Sequence, residues 1–258
     1  MGIIMATLSP ASPAASPAAS LAAFRAALPV SAGAALTADR LCALGVSIRL
    51  AKGEQLAPDP DDDRLVHIVS GAAKLVTANG TAPSGQVLAF HFAGDLVSVL
   101  RQNASASSGD CRLVALSECQ LVIFPSDRFL DIAQGDPSVL RSVLTRSLQA
   151  LHRSRTRMMQ MGHKSAQQRI ADFLVALAER LTGCTEGSCA FALPMSRRDI
   201  GDSLGLTIET VSRQLTELRE AGLLETEGRS KVCLCDVAAL ARIAGRQSGK
   251  SDGACPKN

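Results

Sequence analysis

Between Pro194 and Asp236 the punctuation of the chain leaves few ways for it to fold. Ser196, with Asp199 three residues on, has the Ser-x-x-Asp form of a capping box and should open a helix. Ile200 and Leu204, four residues apart, share one face of that helix. Gly201 between them is small enough to let a second helix cross closely. Gly205 can take the positive φ that ends a helix, Leu206 fills the turn, and Thr207 caps the next helix. The second helix is expected from about Ile208 to Glu220, with Ile208, Val211, Leu215 and Leu218 as its inward stripe. Gln214 falls at the margin of that stripe, a polar residue in apolar company.

At about 100° per residue, Glu209, Arg213 and Thr216 lie on the opposite side of this helix, with Ser212 beside them. A short hairpin should come next. Gly222-Leu223-Leu224 begins a strand, the chain turns around Gly228, and Lys231 to Cys235 returns. A helix-turn-helix with such a wing points to double-stranded DNA. An outward Arg can bond guanine O6 and N7 together, and a Glu can accept from a cytosine amino group. The candidate contacts are Ser196, Arg197, Thr207, Glu209, Thr210, Ser212, Arg213 and Thr216 from the helix pair, with Arg229 and Lys231 facing phosphates from the wing. An ordinary helical hairpin with a solvated polar face is the alternative. The agreement of caps, small residue, turn glycine and inward stripe favours DNA.

Composition narrows the rest. A chain of 258 residues with 47% hydrophobic content can hold one large or two modest domains. A net charge of +3 is too small to mark a nucleic-acid binder by itself. Its distribution is uneven, with seven Lys or Arg and no acid from Ser138 to Ala171. That run is either a solvated basic face or a source of non-specific attraction to DNA. The absence of Trp and Tyr argues against reading single strands by base stacking. No apolar run suits a membrane span, and the N-terminus lacks the pattern of a signal peptide, so a soluble cytoplasmic protein is expected. The eight Cys should then be mostly reduced thiols.

Along the chain, residues 1–36 are rich in Ala, Ser and Pro and are expected to be a largely disordered tail, with room for a short helix within Leu21 to Leu28. Residues 37–135 begin with a helix near Thr37 that ends at Gly45. Short apolar runs then alternate with turn residues, among them Leu65-Val-His-Ile-Val and Gln120-Leu-Val-Ile-Phe, as in a jelly roll. Residues 136–162 read as one long helix, with Pro137 at its first position after Asp136 and Gly162 as its end. Leu144, Leu151 and Met158 recur at seven-residue intervals with Leu140 and Leu148 beside them, a coiled-coil seam suited to a parallel homodimer. A helix in a bundle core is the other way to use that pattern. Residues 163–245 hold the winged helix-turn-helix, preceded by a helix over Ser165 to Leu181, and residues 246–258 form a flexible tail. The fold class is α+β: an N-terminal β jelly roll, a long dimerisation helix and a C-terminal winged helix-turn-helix.

In this order the elements resemble the Crp/Fnr superfamily of bacterial transcription regulators, over roughly Leu41 to Ala244. The resemblance is carried by Val69-Ser-Gly-Ala-Ala-Lys-Leu, Ala89-Phe-His-Phe-Ala-Gly-Asp-Leu-Val, Arg169-Ile-Ala-Asp-Phe-Leu and above all the stretch from Met195 to Arg213. Glu209, Ser212 and Arg213 match the Glu-x-x-Ser-Arg signature of the Fnr/FixK branch. The resemblance implies a cyclic-nucleotide-binding-like jelly roll, a homodimer on a palindrome with TTGAT-like half-sites, and Arg213 on the guanine. It further implies RNA polymerase as a partner, activation rather than repression, and genes linked to oxygen or redox metabolism. Sensors of the Fnr type hold an iron–sulfur cluster on a tight N-terminal cysteine group and one distant Cys. Here no Cys precedes Cys42 and Val122 aligns with the distant position, so no such cluster is expected. Where cyclic-nucleotide sensors present Arg-Ser or Arg-Thr to the phosphate, Gly109 and Asp110 align, and a carboxylate there repels phosphate.

Neither a cofactor nor a metal is therefore expected, although a regulator gated by haem or a cyclic nucleotide is the alternative. Cys233 and Cys235 are either inert thiols or a redox site at the wing. Cys184 and Cys189 fall in an expected loop, and with the wing pair they offer the residue types, but no motif, for a metal. His67, His91, His152 and His163 are scattered, and no catalytic constellation is present, so an enzyme is not expected.

Overall fold

The structure is a computed structural model and describes residues 4–5, 16–29, 34–56, 59–77, 85–100, 111–228 and 230–246. It divides into two compact units, 10–158 and 159–258, the second joined by 1–9.

A two-residue strand, Ile4–Met5 (β1), belongs to the second unit. The first unit opens with helices Pro17–Ala26 (α1) and Ala34–Leu44 (α2). Eight strands come after them: Val46–Leu50 (β2), Gln55–Leu56 (β3), Arg64–Ser70 (β4), Ala72–Thr77 (β5), Val87–Phe92 (β6), Leu96–Val99 (β7), Cys111–Ala115 (β8) and Cys119–Pro125 (β9). They make two four-stranded antiparallel sheets, ordered β2-β9-β4-β7 and β3-β8-β5-β6. Helices Ser126–Ala133 (α3) and Pro137–His163 (α4) come next, and α4 runs on into the second unit.

The core of this unit has two layers. Val66, Ile68, Val97, Val99, Leu113 and Leu121 meet between the sheets. On the other face of the β9–β4 pair, Val122 and Phe124 pack with Phe24, Leu41, Phe129, Val139 and Val143 from the helices. Strands covered on both faces lose the apolar–polar alternation, which explains the unbroken apolar run in β9 and the burial of consecutive Val66, His67 and Ile68 in β4. Fully buried His67 joins the helical layer, where its ring meets Phe24 edge-on at 5.2 Å.

Helix α1 lies within the segment expected to be largely disordered, and it starts four residues before the short helix allowed over Leu21 to Leu28. Ser16 caps it, Pro17 takes its first position, Phe24 is 3% exposed, and buried Ser20 donates to Gln120 Oε1 at 3.0 Å. Composition alone does not support this helix; packing against the sheet does. The start of α4 is built as its sequence suggests. Asp136 Oδ1 accepts from the backbone of Ser138 at 2.8 Å and of Val139 at 3.2 Å. Gly162, expected to break α4, lies within it, and the helix ends one residue later.

The second unit contains helix Ala166–Thr182 (α5), strand Cys189–Ala192 (β10), helices Arg197–Leu204 (α6) and Ile208–Glu220 (α7), strands Leu224–Glu227 (β11) and Lys231–Leu234 (β12), and helix Val237–Ile243 (α8). Its sheet is ordered β1-β10-β12-β11. Helix α5 packs against α7, α8 and β10 and buries Ile170, Leu174, Leu177 and Ala178. Asp172, also buried, is held by Arg246 at 2.5 Å and Lys164 at 3.3 Å, so the carboxylate is not left uncompensated. Among the described residues no helix is long and apolar enough to cross a membrane.

Candidate nucleic-acid interface

The helix pair is assembled by local chemistry. Ser196 Oγ accepts from Asp199 N at 3.1 Å, and Asp199 Oδ2 accepts from Ser196 N at 2.8 Å and from its hydroxyl at 2.6 Å. Helix α6 ends at Gly205, whose φ of 65° is left-handed. Leu206 N then donates to Gly201 O at 2.9 Å. A Cβ at Gly201 would sit 2.6 Å from Leu206 O, so only glycine admits this turn without displacement. Thr207 Oγ1 accepts from Thr210 N at 3.2 Å and starts α7. From the α5 side, Arg169 Nη1 donates to Leu204 O at 3.1 Å, satisfying a carbonyl at the end of α6.

Helix α7 buries Val211, Gln214 and Leu218, with Ile208 and Leu215 half-buried. The expected inward stripe is therefore present, but Gln214 belongs to it more fully than its marginal position suggested. On the outer side Arg213 is 67% exposed, and its Nε lies 3.8 Å from Glu217 Oε1. Glu209 is exposed at the first turn. Its own backbone N–H and then Thr207 hold the carboxyl below the usual range, so it is ionised near neutral pH. Ser212 is half-buried and accepts from exposed Arg197 at 3.1 Å. The outward face thus brings Arg197, Glu209, Ser212 and Arg213 together, while Thr216 is half-buried at its edge. Ser196, Thr207 and Thr210 are present on the same surface, but their hydroxyls are engaged in the caps.

In the wing, β11 and β12 pair from Leu224↔Leu234 to Glu227↔Lys231. The first strand starts at Leu224 and not at Gly222, which has a φ of 69° and belongs to the turn after α7. Lys231 is half-buried and pairs with Glu227. Arg229 lies outside the described residues. Cys189, expected in a loop, is instead buried in β10 opposite Leu234, and neighbouring Cys184 is buried as well. Desolvation and hydrogen bonding to Cys184 push the Cys189 thiol up to about 12. Burial, and then Glu225, raise the Cys233 and Cys235 thiols. Raised values disfavour the thiolate on which oxidation depends, which weighs against the wing as a redox site.

Among the described residues no group of three or more His, Cys, Asp or Glu is placed to hold a metal ion. The thiols of the described residues also do not fit a four-thiolate cluster. Val122 occupies the aligned distant position at full burial in β9, and neighbouring Cys119 turns its thiol to Ala72 O at 3.1 Å. Gly109 and Asp110, aligned with the phosphate cassette, lie outside the described residues. The basic run of α4 and α5 is partly spent on carbonyls. Arg146 donates to Gly94 O at 2.6 Å and Ala27 O at 3.1 Å, and Arg157 donates to Leu88 O. Leu140, Leu144, Leu148, Leu151 and Met158 all stand exposed along α4.

A jelly-roll unit, a long helix with an apolar stripe and a winged helix-turn-helix with an outward Arg define a DNA-binding transcription regulator. Residues 168–243 match the Crp-like helix-turn-helix domain. The chain is 34% identical over 206 residues to the nitrogen fixation regulation protein FixK of Azorhizobium caulinodans, covering 79% of this chain and 81% of that one. It is 30% identical over 197 residues to the transcriptional activator protein FnrA of Stutzerimonas stutzeri, covering 76% and 79%. The structure of FixK2 from Bradyrhizobium japonicum superposes with a TM-score of 0.66 at 27% identity, over 79% of this chain and 99% of that one. The chain belongs to the Crp/Fnr superfamily of transcription regulators, in its FixK-like branch, and not to a family of enzymes.

Proposed function

We propose that the chain acts in the cytoplasm as a homodimeric transcriptional activator that binds palindromic operators with TTGAT-like half-sites. The observation that carries this is the outward face of α7, where Arg213 stands 67% exposed with ionised Glu209 one turn before it and Ser212 beside it. Arg213 donates its paired N–H groups to guanine O6 and N7, and Glu209 accepts from a cytosine amino group. Arg197 and Lys231 contact phosphates, and Arg229, two residues before Lys231 in the sequence, is assigned the same role. The exposed leucines of α4 pair with those of a second copy. Two recognition helices are thereby set about 34 Å apart, one turn of DNA. RNA polymerase is the partner once the operator is bound, and the controlled genes belong to oxygen- or redox-linked metabolism, by likeness to the FixK and Fnr proteins.

The test is a gel-shift series with single-base changes in the half-site. Arg213→Ala should abolish preference for the guanine-containing site, at a cost of roughly 1–3 kcal/mol in discrimination, while the dimer persists in sedimentation. A variant that still prefers TTGAT would refute the base assignment.

A further inference from the structure

Gln214 is the one feature of α7 that neither packing nor base contact accounts for. It is 7% exposed on a face otherwise occupied by Val211 and Leu218, where a leucine would fill the same space. Its Oε1 has no hydrogen-bond partner among the described residues. An unpaired buried acceptor costs stability, so the amide needs another reason to be there. Its Nε2 supplies one by donating to Glu217 Oε2 at 2.8 Å. The other oxygen of that carboxylate, Oε1, lies 3.8 Å from Arg213 Nε.

These three residues climb the side of α7, from its buried margin through its flank to its outer face. Gln214 is buried, Glu217 is 44% exposed and Arg213 is 67% exposed. The pair also has the less favourable order for a helix-stabilising contact. An acid four residues before a base suits the helix, whereas here Arg213 precedes Glu217. Helix stability alone does not explain it.

We infer that Gln214 and Glu217 are positioning residues for base readout. The buried amide fixes the Glu217 carboxylate, and the carboxylate holds the Nε edge of the Arg213 guanidinium so that its two terminal amino groups point at guanine. This rests on the reading that Arg213 contacts guanine. It has a consequence of opposite sign for affinity and specificity. A carboxylate at the flank of the recognition helix repels phosphate and lowers binding to any DNA, while it sharpens the choice of base.

The experiment measures fluorescence anisotropy of the full chain on two duplexes, a TTGAT palindrome and the same duplex with adenine for guanine. Thermal melting is recorded in parallel. Glu217→Gln should bind the adenine duplex more tightly than wild type, yet lose roughly two- to fivefold in the guanine-to-adenine ratio, the range of an exposed ion pair. Gln214→Leu should lose the ratio similarly while melting at the same temperature or higher, because the unpaired acceptor is gone. Arg213→Ala separates the two claims. If it abolishes the preference while both other variants keep the wild-type ratio, the positioning inference is overturned and base readout stands. If Gln214→Leu loses its ratio only together with its melting temperature, Gln214 is structural and the inference is likewise overturned. If Arg213→Ala keeps the preference, the base assignment itself fails and takes the inference with it.

Discussion

Truncating the apolar stripe of α4 at two positions should dissociate the proposed homodimer without unfolding its parts. Leu144 is 56% exposed and Leu151 is 46% exposed in the single chain, so about half of each side chain is free for a partner. A Leu→Ala change removes apolar groups worth roughly 2.4 kcal/mol when fully buried, of which about half, roughly 1.2 kcal/mol, rests with the seam. An isologous interface counts each position in both protomers. The double variant Leu144→Ala/Leu151→Ala should therefore lose roughly 5 kcal/mol of association, a rise of three to four orders of magnitude in the dimer dissociation constant. Sedimentation velocity from nanomolar to tens of micromolar protein measures this directly. The monomer should lose only the half of each side chain that its own chain covers, at most roughly 1.2 kcal/mol per position, so its melting temperature should fall modestly while the parts stay folded. Binding to a palindrome should weaken steeply. A dissociation constant within about tenfold of wild type would refute the seam, because the free half of each leucine would then have no partner to lose.

Three further outcomes come from the packing. Phe24→Ala should destabilise the jelly-roll unit by about 3–5 kcal/mol in denaturant unfolding monitored by circular dichroism. A loss below about 1 kcal/mol would show that α1 is not part of the core. Burial lowers the pKa of His67 to about 4 in the folded state, from 6.5, with Arg146 adding to the shift. The unfolded chain then binds the extra proton first, so stability is full above about pH 6.5 and falls by roughly 3 kcal/mol as the pH drops through 4, a component that His67→Gln should lack. Gly201→Ala should cost roughly 1–3 kcal/mol in the melting of the DNA-binding unit and weaken operator binding, because the new methyl meets the Leu206 carbonyl oxygen; unchanged melting and binding would disprove the close approach of the turn to Gly201.

The features legible in the sequence were those that local chemistry decides. Ser196, Asp199, Gly205 and Thr207 act within a few residues of themselves, and the helices they cap begin and end where those residues require. Strands β4 and β9 were legible because both faces are covered and their short runs are rich in Val, Ile and Leu, interrupted in β4 only by His67. The hidden features depend on distant partners. Helix α1 is Ala- and Pro-rich and gains its place from Phe24, whose ring lies 4.8 Å from that of Phe124, a residue one hundred positions later. Strand β10 reads Cys-Ala-Phe-Ala, with two alanines that favour no strand, and exists through its pairing with β12. Helix α3 has Pro125 at its N-cap with no side-chain bond there, so it lacks the usual signature of a start.

Charge was the least legible property of all, because a charge in the sequence is not yet a field at the surface. The basic run from Ser138 to Ala171 reads either as a solvated face or as a stripe that would attract DNA. In the structure Arg146, Arg157 and Arg169 spend their guanidinium groups on backbone carbonyls, and Lys164 goes to Asp172. Such groups gain little by turning to phosphate, since a carbonyl deprived of its donor must be satisfied again. General attraction therefore falls to fewer cations than the composition suggests, and on the proposed reading specificity comes from α7. There Arg213 keeps an acid beside it, Glu217, in place of a second base. A regulator that finds its operator among many competing sites gains more from the ratio of specific to non-specific binding than from affinity alone. An anionic neighbour that weakens every complex, but weakens the wrong ones most, is consistent with that requirement.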